Sequence, residues 1–166
     1  MPDPIHHAQN RGTIESILRK IPGFRGYLEK EYRREADALQ REWLAERLQR
    51  SKRGVDALAR SLADAGQIDV LPQCDKLRAR IDKLIGRMRG AMQGYSGFFD
   101  LVQVDEDFLD KVYRFDTGMM EQMEAAAASV EKLESDGASG LAAATRQIED
   151  IDREWDKRVD IIKGLL

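Results

Sequence analysis

Apolar residues recur along this chain at helical spacing. Between Gly23 and Ala65 they fall at Leu28, Tyr32, Ala36, Leu39, Trp43, Leu44, Leu48, Val55, Leu58 and Leu62, in steps that are mostly threes and fours. No proline interrupts the run. The pattern predicts one long helix, about 60 Å at ~1.5 Å per residue, against which the later helices pack. Glu29→Arg33, Asp37→Arg41 and Glu46→Arg50 place acid before base at i,i+4. Each such pair adds about 0.2–0.5 kcal/mol, so the charged exterior reads as a solvated face. Two features disturb the stripe. Trp43 and Leu44 are adjacent large residues, an irregularity of the kind that alters supercoiling locally. Gly54 follows the basic cluster Arg50-Ser51-Lys52-Arg53 and costs roughly 1 kcal/mol against alanine. A bend there is one outcome. Val55, Leu58 and Leu62 stay in phase with Leu48 and Ser51, which supports a single helix.

Gly66 is placed to close that helix as a C′ glycine, and Pro72 stands near the next start. A second helix is predicted from Gln73 to Gly94, with Leu77, Ile81, Leu84, Met88 and Tyr95 on its seam and Ile85 and Met92 beside it. A third runs from Asp105 to Glu134 on Leu109, Val112, Met119, Met123, Ala126, Val130 and Leu133. Asp105, Glu106 and Asp107 suit the positive end of its dipole. Asp136-Gly137 and Ser139-Gly140 mark a turn. The last helix, Leu141 to Lys163, carries Leu141, Ala144, Ile148, Ile151, Trp155, Val159 and Ile162. Trp43 and Trp155 are both expected to be buried, at similar heights. No strand pattern, fixed-period repeat or linker divides the chain. The expected fold is all-α: an elongated antiparallel up-down-up-down bundle with one long first helix. Residues 13–166 form its single domain, after a flexible polar arm at 1–12. Thr13 caps a short helix with Ile14, Ile17 and Leu18, broken by Pro22 and Gly23.

The second helix covers only about 33 Å of the first at ~1.5 Å per residue. Its end at Gly94 should lie near Leu44, leaving Phe24, Tyr27, Leu28, Tyr32 and Leu39 without cover. The apolar stretch from Tyr95 to Val104 is available to cover them. Phe24, Tyr27, Tyr32, Phe98 and Phe99 are therefore the candidate interaction surface. Either Phe98 or Phe99 packs on Tyr27, Leu28 or Tyr32 as a second small core, or two copies cover each other through a symmetric patch.

Charge and composition narrow the function classes. Lys and Arg number 27 against 30 Asp and Glu, for a net charge of −3, a balance that does not favour a dedicated nucleic-acid binder. Cys74 is the only cysteine, so no intrachain disulfide can form and a reducing compartment is the simpler setting. No apolar run is long enough to span a bilayer. A cytoplasmic protein without a transmembrane segment is expected.

Candidate chemistry is sparse. His6 and His7 are the only histidines, and Glu121, Glu124, Glu149, Asp150 and Asp152 lack the inward Glu-x-x-His pairs of metal-carboxylate bundles. Gly94-Tyr95-Ser96-Gly97-Phe98 lacks the glycine and the strand of a nucleophile elbow. No glycine-rich phosphate loop is present. Cys74 sits near a helix start, beside Asp75, and reads as structural. Met88, Met92, Met119, Met120 and Met123 read as core filler. No catalytic residue, metal ligand or cofactor is expected. The second helix is basic, with Lys76, Arg80, Lys83 and Arg87 as a candidate patch for nucleic acid or an anionic membrane. An antiparallel hairpin with the acidic third helix would instead neutralise it within the molecule.

The segments Ile21-Pro22-Gly23-Phe24-x-Gly26-Tyr27-x-x-Lys30-Glu31-x-Arg33-Arg34-x-Ala36-Asp37 and Gly94-Tyr95-Ser96-Gly97-Phe98-Phe99-Asp100, with Tyr113-x-Phe115-Asp116, resemble those of a family of small bacterial helical-bundle proteins with no established activity. The resemblance covers most of the chain. It implies a bacterial cytoplasmic protein and, as a partner, a membrane-associated band-type (SPFH) scaffold protein, and it adds no catalytic residue. The expected function is a non-enzymatic helical scaffold or adaptor that binds a protein partner or itself. The alternative is electrostatic binding of nucleic acid or anionic membrane through the basic second helix.

Overall fold

Alternating steps of three and four residues become the packing seams of four helices. The structure, a computed structural model, describes residues 33–90 and 106–163. Helix α1 spans Arg33–Asp64, α2 Leu71–Gly90, α3 Glu106–Glu131 and α4 Leu141–Ile162. The described residues contain no strand, and the all-α bundle expected from the sequence is present. The candidate surface Phe24, Tyr27, Tyr32, Phe98 and Phe99 lies outside the described residues, as do residues 1–12, the short helix expected after Thr13 and the Tyr95–Val104 stretch.

Helix ends follow local chemistry. Gly66 takes φ 71°. Its N–H donates to Ala63 O at 3.0 Å, and that of Gln67 to Leu62 O at 2.8 Å. These bonds satisfy carbonyls that the last turn leaves open, and the left-handed backbone favours glycine. A 3₁₀ turn at Ile68–Val70 leads into α2, which starts at Leu71 rather than Gln73 and takes Pro72 into its first turn. The third helix ends at Glu131, short of the expected Glu134. A single turn at Leu133–Asp136 and a 3₁₀ stretch at Gly137–Gly140 then make the reversal.

Interhelical pairs fix the directions. Arg89 reaches Glu42 at 2.7 Å and Arg78 reaches Asp56 at 2.7 Å, so α2 runs antiparallel to α1. Arg47 meets Glu124 at 2.9 Å, and Arg53 meets Glu131 at 3.3 Å, so α3 runs parallel to α1. Arg80 pairs with Glu149 and Arg87 with Asp156, so α4 runs parallel to α2. The up-down-up-down order holds. The side-by-side order does not follow the chain: α1 and α4 each lie along α2 and α3, leaving α2 and α3 on one diagonal. The expected hairpin of α2 with α3 does not form. The bundle is two antiparallel pairs, α1–α2 and α3–α4, set parallel side by side.

The seams are Leu44, Leu48, Val55, Leu58 and Leu62 on α1; Cys74, Leu77, Ile81, Leu84 and Met88 on α2; Val112, Met119, Met123, Ala126 and Val130 on α3; and Leu141, Ala144, Ile148, Ile151 and Trp155 on α4. Burial of each large apolar side chain contributes about 1.5–3 kcal/mol before chain entropy is counted. The methionines Met88, Met119, Met120 and Met123 lie in this core. Leu39, assigned to the seam from sequence, is instead 42% exposed. Trp155 is buried, but Trp43 is only half-buried, at the edge of the core.

Gly54 has a packing reason. It is buried within an unbroken α1. A Cβ there would fall 2.1 Å from the Val130 carbonyl oxygen and 2.7 Å from Glu131 Cα. The glycine permits α1 and α3 to approach backbone to backbone, which offsets its poor helix propensity.

Candidate functional site

Two places concentrate polar groups: a buried network near one end of the bundle and a basic stripe on α2. The first was not anticipated from the sequence. Asp116 of α3 and Arg158 of α4 are 0% and 1% exposed, and Gln40 of α1 is fully buried beside them. Arg158 Nε donates to Asp116 Oδ1 at 2.9 Å. Its Nη2 donates to Gln40 Oε1 at 3.1 Å and to Asp116 Oδ2 at 3.4 Å. The guanidinium also stands 5.3 Å from the Trp155 ring centroid, within cation–π range. Arg41, also buried, donates from Nη1 to the Met88 carbonyl at 3.2 Å. That carbonyl belongs to the last turn of α2, where a cation complements the helix dipole.

A seam signal for this network does exist. On α3 the alternation 112, 116, 119, 123 passes through Asp116. On α4 the alternation 151, 155, 158, 162 passes through Arg158. Reading the seam by apolar residues alone skips Asp116 and takes Val159 in place of Arg158. Val159 is in fact only partly buried. Opposite charges at seam positions of antiparallel helices are the pattern of an interior pair. Chemically the network ties α1, α3 and α4 together.

The stripe Lys76, Arg80, Lys83 and Arg87 lies along one side of α2, facing α4. Arg80 pairs with Glu149, and Arg87 with Asp152 and Asp156. The basic face of α2 is thus neutralised chiefly by α4, with Arg78 and Arg89 turned to α1, and not by α3 as expected. Glu124 and Glu131 of α3 serve α1 instead, through Arg47. Lys76 and Lys83 are exposed and form no ion pair among the described residues. Between the first turns of α2 and α4 lies an open groove of ≈ 390 Å³, to which Lys76, Arg80 and Arg146 contribute.

Other candidates acquire definite settings. Cys74 is buried on the α2 seam, and burial pushes its thiol up, with Arg78 opposing in part. A desolvated thiol of that kind is a packing group rather than a nucleophile. Its bond with Arg47 holds Glu131 below the usual carboxylate range, against the opposing effect of burial. Arg89 does the same for Glu42. No group of three or more metal-ligating side chains gathers among the described residues. None of the described helices is long and apolar enough to cross a membrane. In comparison with known proteins, the chain matches no protein family, no curated protein and no solved structure.

Proposed function

We propose that this chain is a non-enzymatic helical scaffold or adaptor of the cytoplasm, which presents helix surfaces to a protein partner or to a second copy of itself. One observation carries the reading: the buried side chains Gln40, Arg41, Asp116 and Arg158 bond helix to helix. Arg158 joins Asp116 and Gln40 across three helices, and Arg41 holds the end of α2. Surface pairs such as Arg47 with Glu124 and Glu131 repeat the arrangement outside. A frame linked in this way keeps its outer faces in fixed relation, as a binding surface needs. The resemblance noted from the sequence makes a membrane-associated band-type scaffold protein the first partner to try. Cross-linking and affinity capture from the native host, with light scattering on the purified chain, test the proposal. A stoichiometric partner or a defined oligomer is expected. A chain that stays monomeric and captures no protein would overturn it.

Electrostatic binding to nucleic acid or anionic membrane is the second reading, favoured by the exposed Lys76 and Lys83. Partnering of Arg80 and Arg87 by α4 removes half of the stripe from it. A salt-dependent shift with duplex DNA or anionic liposomes is its test, and no shift at low salt would exclude it.

A further inference from the structure

The groove between the first turns of α2 and α4 differs from the rest of the α2–α4 edge. Higher up, Arg87 meets Asp152 and Asp156. In the groove Arg80 meets Glu149, but Lys76 and Arg146 are exposed and make no ion pair among the described residues. No acidic residue occupies the first turn of either helix, and the nearby carboxylates Asp75, Glu149 and Asp150 are engaged by Arg78, Arg80 and Arg153. Exposed Ala142 and the edge of Leu141, itself 2% exposed, line the same groove between the cations, and Thr145 adds a hydroxyl. It is open along the bundle rather than enclosed, and it runs between two parallel helices.

We propose that this groove docks an acidic amphipathic segment of a protein partner, its apolar side chains on Ala142 and the edge of Leu141 and its carboxylates on Lys76 and Arg146. Charge complementarity selects the occupant. Carboxylates would supply for Lys76 and Arg146 what Asp152 and Asp156 supply for Arg87. The apolar lining gives a third helix something to bury, which a free anion would not use. A flat membrane surface would engage exposed cations wherever they lie, Lys83 included, and would not need the concavity. The inference rests on the adaptor reading and names the class of partner for one face.

The probe is a short synthetic amphipathic helix whose leucine stripe is flanked by glutamates, titrated into the ¹⁵N-labelled full chain at low salt. Saturable amide shifts are expected at Lys76, Thr145 and Arg146. The same helix with lysines in place of glutamates should give none. The double variant Lys76→Glu with Arg146→Glu should bind at least about tenfold more weakly, because each reversal turns an attraction into a repulsion. Neither side chain is buried or paired, so the melting curve of the variant should match that of the parent and shows that the fold is kept. Raising the salt should weaken binding, as expected of exposed charges. Equal binding by parent and variant, or shifts scattered over the whole surface, would overturn the proposal. So would phosphatidylglycerol vesicles or duplex DNA binding in a variant-sensitive way while the acidic helix does not. The adaptor reading fails separately, if the parent chain neither captures a partner nor self-associates. If parent and variant capture the same partner equally, the groove assignment fails and the adaptor reading stands.

Discussion

Gly54→Ala tests the arrangement of α1 against α3, because two effects of opposite sign meet there. In a solvated helix interior, alanine in place of glycine stabilises by about 0.8–1.0 kcal/mol. At position 54 the added Cβ would lie 2.1 Å from Val130 O, 2.7 Å from Glu131 Cα and 2.9 Å from Val130 C. Carbon contacts relax only near ~3.5–4.0 Å, so the helices must part by roughly 1 Å. All three obstacles are backbone atoms, so no change of rotamer relieves them. Overpacking of this kind costs about 1–3 kcal/mol. The movement also draws Arg47 and Arg53 from Glu131. A net destabilisation of about 1–2 kcal/mol is expected, with Tm falling by ~2–4 °C per kcal/mol for a chain of this size. Gly86→Ala is the internal control. Gly86 is exposed within α2, and a Cβ there meets nothing within 4 Å. That variant should gain about 0.4–1 kcal/mol. Urea unfolding followed by far-UV circular dichroism reads both. The reasoning fails if Gly54→Ala moves the midpoint in the same direction as Gly86→Ala.

Asp116→Leu removes the carboxylate that accepts from Arg158 Nε inside the bundle and should cost about 3–5 kcal/mol, whereas adding Arg158→Leu should recover part of that loss; a double-mutant cycle of the two leucine substitutions by urea denaturation decides, and additive costs would contradict the pairing. Glu131 and Glu42 are held below the ordinary carboxylate range by Arg47 and Arg89. Their contribution to stability is full above the unfolded-state pKa and is lost as pH falls through the lower folded-state value. Melting temperature should therefore drop in acid below the usual glutamate range, and Glu131→Gln should shallow that drop; an unchanged acid profile would refute the linkage. The Cys74 thiol, buried and shifted up, should react with a disulfide reagent far more slowly in the native chain than in denaturant. Rapid native labelling would place it at the surface. Trp155, buried beside Arg158, should resist iodide quenching, while half-buried Trp43 should be quenched in part; equal quenching of Trp155→Phe and Trp43→Phe variants would contradict the difference.

Local interactions set much of this protein, and those were legible in the sequence. The three-four alternation of apolar residues gave the helices, because a helix must bury one face and repeats it at that period. Gly66 stopped α1 because its left-handed backbone is a property of one residue and its neighbours. Leu141 opened the last helix at the expected position after the turn at Gly137–Gly140. Which helices lie side by side was not legible. The charge of α2 can be neutralised by any acidic neighbour, and both α3 and α4 carry carboxylates. The choice of α4 for Arg80 and Arg87, and of α1 for Glu124 and Glu131 of α3, depends on how the two hairpins stack. Gly54 likewise reads as a defect within one helix, and only its approach to Val130 reveals the need for it. The interior of Asp116, Arg158 and Gln40 was hidden for a related reason. Their seam positions are visible, but a charge on a seam costs free energy unless its partner arrives from another helix, and only the tertiary structure brings those partners together.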